Sequence, residues 1–102
     1  MELRPGSRWR SSVCSAEVVV VRSPKVAAVL ECGGHPMTAH GAERPGNLEP
    51  APDRRLGVQV GKRYSDDETG LEALCNKAGE GSLSIDGRPL KIKEAKPLPS
   101  SD

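Results

Sequence analysis

The stretch SLSIDGRPLKIK, residues 82–93, decides the fold that we expect for this chain. Asp86-Gly87 stands between two short runs in which apolar and polar residues alternate, and such a dipeptide favours the two-residue turn of a β-hairpin. In the second run, lysines interleave with Leu90 and Ile92, a pattern typical of an outward face or a charged sheet edge. The sequence therefore predicts a hairpin with its tip at Asp86-Gly87.

The segment just before it, SDDETGLEALCNKAG, can form two structures. In one, residues 66–70 form a tight turn and Leu71–Cys75 pair back on a strand over Leu56–Tyr64, where apolar residues recur at every second position. In the other, a helix occupies residues 66–78. A glycine inside a helix costs about 1 kcal/mol relative to alanine, and the alternating strand needs a partner. We therefore favour the hairpin.

Residues 7–32 predict a third hairpin, with two strands joined by a turn at Ser23-Pro24-Lys25. Four successive valines, residues 18–21, favour a strand because branching at Cβ restricts their rotamers. An apolar run without alternation indicates burial on both faces, as in a central strand.

Together these hairpins predict an all-β fold, a small single-domain barrel or sandwich of about six strands, with an α+β fold carrying one helix at 66–78 as the alternative. The length of 102 residues corresponds to one domain. One Trp, one Tyr and no Phe leave small aliphatic side chains to fill the core.

Two segments are expected to lie outside the sheets. Residues 33–55 are rich in glycine and proline, lack apolar periodicity and predict a long loop. Residues 95–102 contain two prolines, which cannot continue a hydrogen-bonded ladder, and predict an extended C-terminal tail. Both segments are candidates for contact with a partner protein.

Charge and composition argue against several classes of function. The chain carries 15 basic and 14 acidic residues, a formal net charge of +1, and lacks the basic surface and aromatic platforms of nucleic-acid-binding proteins. Its longest apolar run, residues 18–21, is far shorter than a membrane span, and we expect no membrane association. With no recognisable export signal, we expect a cytoplasmic protein with reduced cysteines.

The motif CGGHPM, residues 32–37, is the main candidate for a site. Cys32 and His35 have the spacing of half a zinc knuckle, and Cys14 and Cys75 can complete a Cys3His tetrahedron if the sheet brings them together. Thiolate and neutral imidazole suit zinc, and such a site would stabilise a small domain with little core. Zinc is therefore the predicted cofactor, if one is bound.

Two other interpretations of the motif use different chemistry. The motif resembles the ligand loop of cupredoxins, Cys-x-x-His-Pro-x-Met, and the resemblance implies copper. However, Met37 lies one residue too close to His35, and His40 would have to act as the second histidine ligand of a blue-copper centre. Alternatively, Cys32 is a reactive thiolate activated by His35 or His40, as in thiol-dependent enzymes. A tight turn without any chemistry is the remaining interpretation.

The sequence shows no phosphate-binding glycine loop, dinucleotide fingerprint or recognisable pair of catalytic carboxylates. We therefore expect a small cytosolic binding or accessory module that acts through protein contacts, without catalysis of its own. The alternative is a small metalloprotein, or a thiol-dependent enzyme centred on Cys32 and His35.

Overall fold

The computed structural model describes residues 1–43 and 48–93. These residues form strands, turns and bends and contain no helix, so none of them could cross a membrane as a helix. The predicted tail at 95–102 lies outside the described residues, as do residues 44–47 of the predicted loop. The strands are β1 (Arg8–Arg10), β2 (Glu17–Arg22), β3 (Leu30–Cys32), β4 (His35–Pro36), β5 (Thr38–Ala39), β6 (Arg63–Ser65), β7 (Glu72–Lys77), β8 (Leu83–Ile85), β9 (Arg88–Pro89) and β10 (Lys91–Ile92).

The ten described strands form two antiparallel sheets. The larger sheet has the order β10-β6-β7-β2-β1-β5, and the smaller has the order β4-β3-β8-β9. The all-β prediction is confirmed, although the described strands are more numerous and shorter than the six expected, and the sheets do not close into a barrel. Strands β4 and β5 both lie within the segment 33–55.

The hairpin predicted at residues 82–93 is present, and its tip is at Asp86-Gly87. β8 pairs with β9 through Ser84 and Pro89 and through Ile85 and Arg88. Asp86 and Gly87 both have positive φ, 47° and 82°, as a type I′ turn requires. The prediction is confirmed.

A second hairpin with the same local sequence pattern lies beside it. The octapeptide LECGGHPM, residues 30–37, has the same pattern as LSIDGRPL, residues 83–90. In both, Leu, a variable residue and an apolar residue precede a two-residue turn, and a polar residue, Pro and an apolar residue follow it. In this hairpin the turn is Gly33-Gly34, with φ of 65° and 85°. The motif CGGHPM therefore forms a type I′ hairpin turn, as its counterpart does without any cysteine or histidine.

The two hairpins pair side by side to make the smaller sheet. Leu30 lies opposite Ile85 and Cys32 opposite Leu83, an arrangement close to twofold symmetry about the pair Glu31 and Ser84. The outer strands are β4 and β9, which carry Pro36 and Pro89. The residue after each proline donates a backbone hydrogen bond to the inner strand: the N–H of Met37 to the carbonyl of Leu30 (2.9 Å) and the N–H of Leu90 to the carbonyl of Leu83 (3.1 Å).

The hairpin predicted around residues 66–70 is also confirmed. β6 pairs with β7, with Tyr64 opposite Ala73, and Gly70 has the positive φ (78°) that excludes a regular helix there. The buried carboxylate of Asp66 accepts hydrogen bonds from the N–H and hydroxyl of Thr69 and from Arg88. The Arg88 guanidinium in particular holds the pKa of Asp66 below its usual value. Asp66 thus stabilises a turn at the position where the alternative structure begins a helix.

The hairpin predicted for residues 7–32 is wrong. β2 pairs with β1 on one side and β7 on the other, while β3 belongs to the smaller sheet. Both neighbours of β2 are thus already occupied, and residues 23–29 cross from one sheet to the other. The valines also alternate in burial: Val18 and Val20 are buried, whereas Val21 is 40% exposed. β2 is a central strand, as predicted, but only one of its faces is fully buried.

The strand predicted over Leu56–Tyr64 is much shorter than expected. Val58 and Tyr64 are buried, but Leu56 is 91% and Val60 62% exposed. The physical reason is that Gly57 and Gly61 have φ of 88° and 82°, so the chain leaves the extended conformation twice and the alternation of faces is lost.

The buried side chains of both sheets form one hydrophobic core. As expected from the composition, most of its members are aliphatic or small, with Trp9 and Tyr64 as the aromatic members among the described residues. All three cysteines are in or against this core, and Cys32 and Cys75 are fully buried.

Candidate functional site

Cys14 is held by the loop that connects β1 to β2. The loop closes with a hydrogen bond from the N–H of Ser11 to the carbonyl of Ala16 (2.9 Å). The Ser11 hydroxyl, which is fully buried, accepts the N–H of Val13 (3.1 Å) and of Cys14 (3.0 Å). A serine that bonds backbone two and three residues ahead stabilises a tight turn. This turn points the Cys14 side chain towards the smaller sheet.

Cys32 approaches Cys14 from that sheet. It is the last residue of β3, lies directly before the Gly33-Gly34 turn and is fully buried. The two Sγ atoms are 3.8 Å apart, although the residues are 18 positions apart in the chain. Gly33 makes this approach possible, because a Cβ at its position would lie 2.6 Å from a methyl group of Val13.

Two further glycines pack against the sulfur atoms. A Cβ on Gly79 would lie 2.7 Å from Sγ of Cys14, and one on Gly81 would lie 3.0 Å from Sγ of Cys32. The segment is fixed on both sides, since Gly79 exchanges two backbone hydrogen bonds with Val58 and Ser82 accepts the N–H of Gly33. The segment 79–81 therefore packs its backbone, rather than side chains, against the thiol pair.

Contacts within and around the pair shift the pKa values of the two thiols in opposite directions. The Cys32 thiol is the main cause that lowers the pKa of Cys14, to about 4, and further lowering comes from the Ser11 hydroxyl at 3.2 Å and the N–H groups of Ala16 and Gly81. Cys14 and burial raise the pKa of Cys32. The arrangement thus favours a thiolate at Cys14 that accepts a hydrogen bond from a protonated Cys32.

The remaining cysteine and the histidines have other contacts. Cys75 donates to the carbonyl oxygen of Lys77 on its own strand (3.2 Å), and burial is the main cause that raises its pKa. His35 lies opposite Cys32 across the turn and is partly exposed. Nε2 of His40 lies 3.5 Å from a carboxylate oxygen of Glu17. The electrostatics therefore favour Cys14, rather than Cys32 with a histidine, as the ionised thiol.

Of the four predicted metal ligands, the structure brings Cys14 and Cys32 into sulfur contact. Within residues 1–43 and 48–93, no group of three or more histidine, cysteine, aspartate or glutamate side chains is arranged to hold a metal ion. The zinc site built from Cys14, Cys32, His35 and Cys75 stays a prediction from the sequence.

Comparison with protein-family models, curated proteins and solved structures found no match to this chain. The assignment of a function therefore depends on the geometry of the thiol pair itself.

Sequence reasoning did not find three of the residues that shape this site: Ser11, Gly79 and Gly81. The spacing Ser-x-x-Cys between residues 11 and 14 is a local signal that could have indicated a serine turn beneath the cysteine. The two glycines had no such signal, because their close contacts are with residues more than 40 positions away.

Proposed function

We propose that this protein is a small thiol–disulfide redox protein in which Cys14 is the attacking thiol and Cys32 the resolving thiol. The observation that supports this proposal is the 3.8 Å separation of the two sulfurs. A disulfide bond measures about 2.05 Å, so the sulfurs need to approach by roughly 1.8 Å.

The oxidation uses a low-molecular-weight disulfide, such as glutathione disulfide, as electron acceptor. The Cys14 thiolate attacks one sulfur of that disulfide, forms a mixed disulfide and releases one glutathione thiolate. Cys32 then gives up its proton, attacks Sγ of Cys14 and releases the second glutathione. Two electrons pass from the two protein sulfurs to the acceptor. The proton of Cys32 ends on one molecule of glutathione, and the thiolate of the other takes a proton from the solvent.

The division of roles follows from exposure and charge. Cys14 is partly exposed whereas Cys32 is fully buried, so an external disulfide reaches Cys14 first. The thiolate is the nucleophilic form of cysteine, and the lowered pKa of Cys14 makes this form available at neutral pH.

The test is oxidation of the full chain with glutathione disulfide, followed by thiol titration and peptide mapping by mass spectrometry. We expect the titratable thiols to fall from three to one and the linked peptides to contain Cys14 and Cys32. Cys75→Ser is the matched control and should still form this bond. Cys32→Ser should stop at a glutathione adduct on Cys14. Three thiols that persist in the wild type, or a bond that includes Cys75, would overturn the proposal.

Zinc held by the same two sulfurs is the competing function, and the same distance favours it. Two thiolates bound to a tetrahedral zinc ion at about 2.3 Å lie about 3.8 Å apart. Metal analysis of protein purified without added metal separates the two functions. Near-stoichiometric zinc, with thiols that titrate only after chelation, would replace the redox function by metal binding. Action through a partner protein stays a prediction from the sequence.

A further inference from the structure

The loop of residues 54–62 presents exposed apolar and basic side chains together. Leu56 is 91% and Val60 62% exposed. The chain from residue 54 to residue 63 contains four basic residues and no acidic one, a local excess that the net charge of +1 does not show. Within the described residues, only one of these four, Arg63, forms an ion pair, with Glu72 (3.8 Å). The other three are Arg54, Arg55 and Lys62.

The backbone of this loop is fixed, so its exposed side chains project from a preformed surface. The N–H of Leu56 donates to the hydroxyl of Ser82 (2.7 Å). Val58, whose side chain is buried between the two exposed ones, exchanges two backbone hydrogen bonds with Gly79. A surface that is ordered before binding loses less conformational entropy when a partner docks on it.

The same contacts join the loop to the thiol pair. Gly79 and Gly81, which pack against the sulfurs of Cys14 and Cys32, belong to the segment that bonds to the loop. Hydrogen-bonded neighbours lie about 4.8 Å apart, and packed atoms lie about 4 Å apart, so the loop and the sulfurs are separated by roughly 9 Å. Three residues of an extended peptide span this distance.

We propose that residues 54–62 bind the substrate of the thiol pair, and that this substrate is a protein whose disulfide is flanked by apolar and acidic side chains. This inference rests on the proposed redox function. Leu56 and Val60 would bury an apolar side chain, and the cations of the loop would pair with carboxylates. Asp53 and Glu80 are acidic neighbours of the loop, but its cations outnumber them. Neither exposed aliphatic side chain can stack on a base, which favours a protein over a nucleic acid.

The docked substrate is reduced in two exchange steps. The sulfur of Cys14 bonds to one sulfur of the substrate disulfide, and the other substrate sulfur leaves. Cys32 then bonds to Cys14 and releases the first substrate sulfur. One S–S bond breaks in the substrate and one forms in the protein, so two electrons pass to the substrate. Its two sulfurs leave as thiols, with the proton of Cys32 and a proton from the solvent.

The wild-type protein provides the first test. Three peptides, each a thionitrobenzoate mixed disulfide at its cysteine, are compared by the absorbance of released thionitrobenzoate: Glu-Leu-Glu-Gly-Cys, Lys-Leu-Lys-Gly-Cys and Glu-Ser-Glu-Gly-Cys. Each rate is divided by the rate of the same peptide with mercaptoethanol. At low salt, the first peptide should react about tenfold faster than either of the others, and about 0.5 M NaCl should reduce this advantage. A rate of either other peptide equal to that of the first would overturn the inference.

Val60→Ser with Val26→Ser as control tests the surface. Both valines are 62% exposed, but Val26 lies in the segment that crosses between the sheets. Val60→Ser should slow the Glu-Leu-Glu-Gly-Cys peptide about fivefold, and Val26→Ser less than about twofold. Lys62→Ser should slow it about threefold, and Lys91→Ser less than about twofold. Reaction with the neutral bis(2-hydroxyethyl) disulfide should not change in any variant. Equal effects of the two valine variants would refute docking at this loop.

Oxidation by glutathione disulfide distinguishes the two ways in which the proposal can fail. If the bond between Cys14 and Cys32 forms but the three peptides react alike, the docking surface is wrong and the redox function stands. If the bond does not form, the redox function has failed, and the substrate inference fails with it.

Discussion

Oxidation of Cys14 and Cys32 to a disulfide should raise the unfolding free energy, by an amount that depends on the number of residues between them. The two cysteines are 18 residues apart, and a bond that closes a loop of this length in the unfolded chain removes entropy worth about 3 kcal/mol at 25 °C. Strain in the bond within the native state would reduce this gain. We therefore expect oxidised protein to exceed reduced protein in unfolding free energy by up to about 3 kcal/mol when all thiols are protonated.

The difference between the two forms should depend on pH. Cys14 has a lower pKa in the folded than in the unfolded protein, so its ionisation stabilises the reduced fold above the unfolded pKa, and this stabilisation is lost as the pH falls through the folded pKa. In the oxidised protein there is no Cys14 thiol to ionise. The advantage of the oxidised form is therefore largest near pH 4 and becomes smaller towards pH 8. Carboxylates such as Asp66 affect both forms alike and cancel in the difference.

Urea unfolding of Cys75→Ser protein, which contains only the two thiols of interest, measures this difference. Trp9, the only tryptophan and a core residue, reports unfolding by fluorescence, and a phosphine reductant maintains the reduced form. The comparison is made at pH 4.5 and pH 8, with the disulfide verified by mass spectrometry. A difference that grows with pH, or that does not change with it, would falsify the assignment of the thiolate to Cys14. A verified disulfide that destabilises the protein at pH 4.5 would refute the geometry of the pair.

Three other predictions concern reactivity, packing and a buried carboxylate. Alkylation of Cys14 by iodoacetamide should proceed at a nearly constant rate from pH 6 to pH 8, in contrast to an ordinary thiol with a pKa of about 8.5, and peptide mapping over this range checks it. Gly79→Ala should lower the unfolding free energy by about 2 kcal/mol because its Cβ would lie 2.5 Å from a backbone nitrogen. Gly87→Ala, whose Cβ meets nothing within 4 Å but whose φ is positive, should lose only about 1 kcal/mol in the same urea titration. Asp66→Asn should cost about 2 kcal/mol at pH 7 through its weakened bond to Arg88. Because Asp66 has a depressed pKa, this cost should disappear as the pH falls well below 4, and an undiminished cost at pH 2.5 would contradict an electrostatic origin of the effect.

The sequence was most informative where glycine defines a turn between alternating runs. The hairpins predicted at Asp86-Gly87 and before Gly70 are both correct. Their turns need a positive φ, which glycine adopts readily, so the residue type itself indicates the turn. Gly57 and Gly61 were misinterpreted for the same reason. The alternation places them on one face of a strand, whereas their positive φ interrupts that strand.

Pairing between distant strands could not be predicted from local pattern. The hairpin expected between residues 17–22 and 26–32 failed because β2 finds other partners in β7 and β1, a competition that depends on the whole chain. The repeat of residues 30–37 in residues 83–90 was a usable signal for the smaller sheet, since it indicates two equivalent hairpins that pair side by side.

The sequence prediction and the candidate site share two residues, but the geometry of the site was not predicted. Cys14 and Cys32 belong to the predicted zinc ligand set, and the alternative with a reactive thiol places it at Cys32. The prediction for His35 came from its spacing in CGGHPM, and the structure places this motif in a hairpin turn. The assignment of the ionised thiol depends on Ser11 and on the backbone near Gly81, and the latter is brought to Cys14 only by folding.

The prolines in the outer strands of the smaller sheet affect how this protein behaves at high concentration. Pro36 lies between His35 and Met37, which face β3. Along a strand the backbone groups point alternately to the two sides, so the ring nitrogen of Pro36 points away from β3, to the open edge of the sheet. Pro89 has the same place beside β8. A further strand that paired with either open edge would lack one backbone N–H donor, because proline has none. Both margins are thus unsuited to templated growth, and the smaller sheet is protected on each side from the edge-to-edge stacking that starts fibrils.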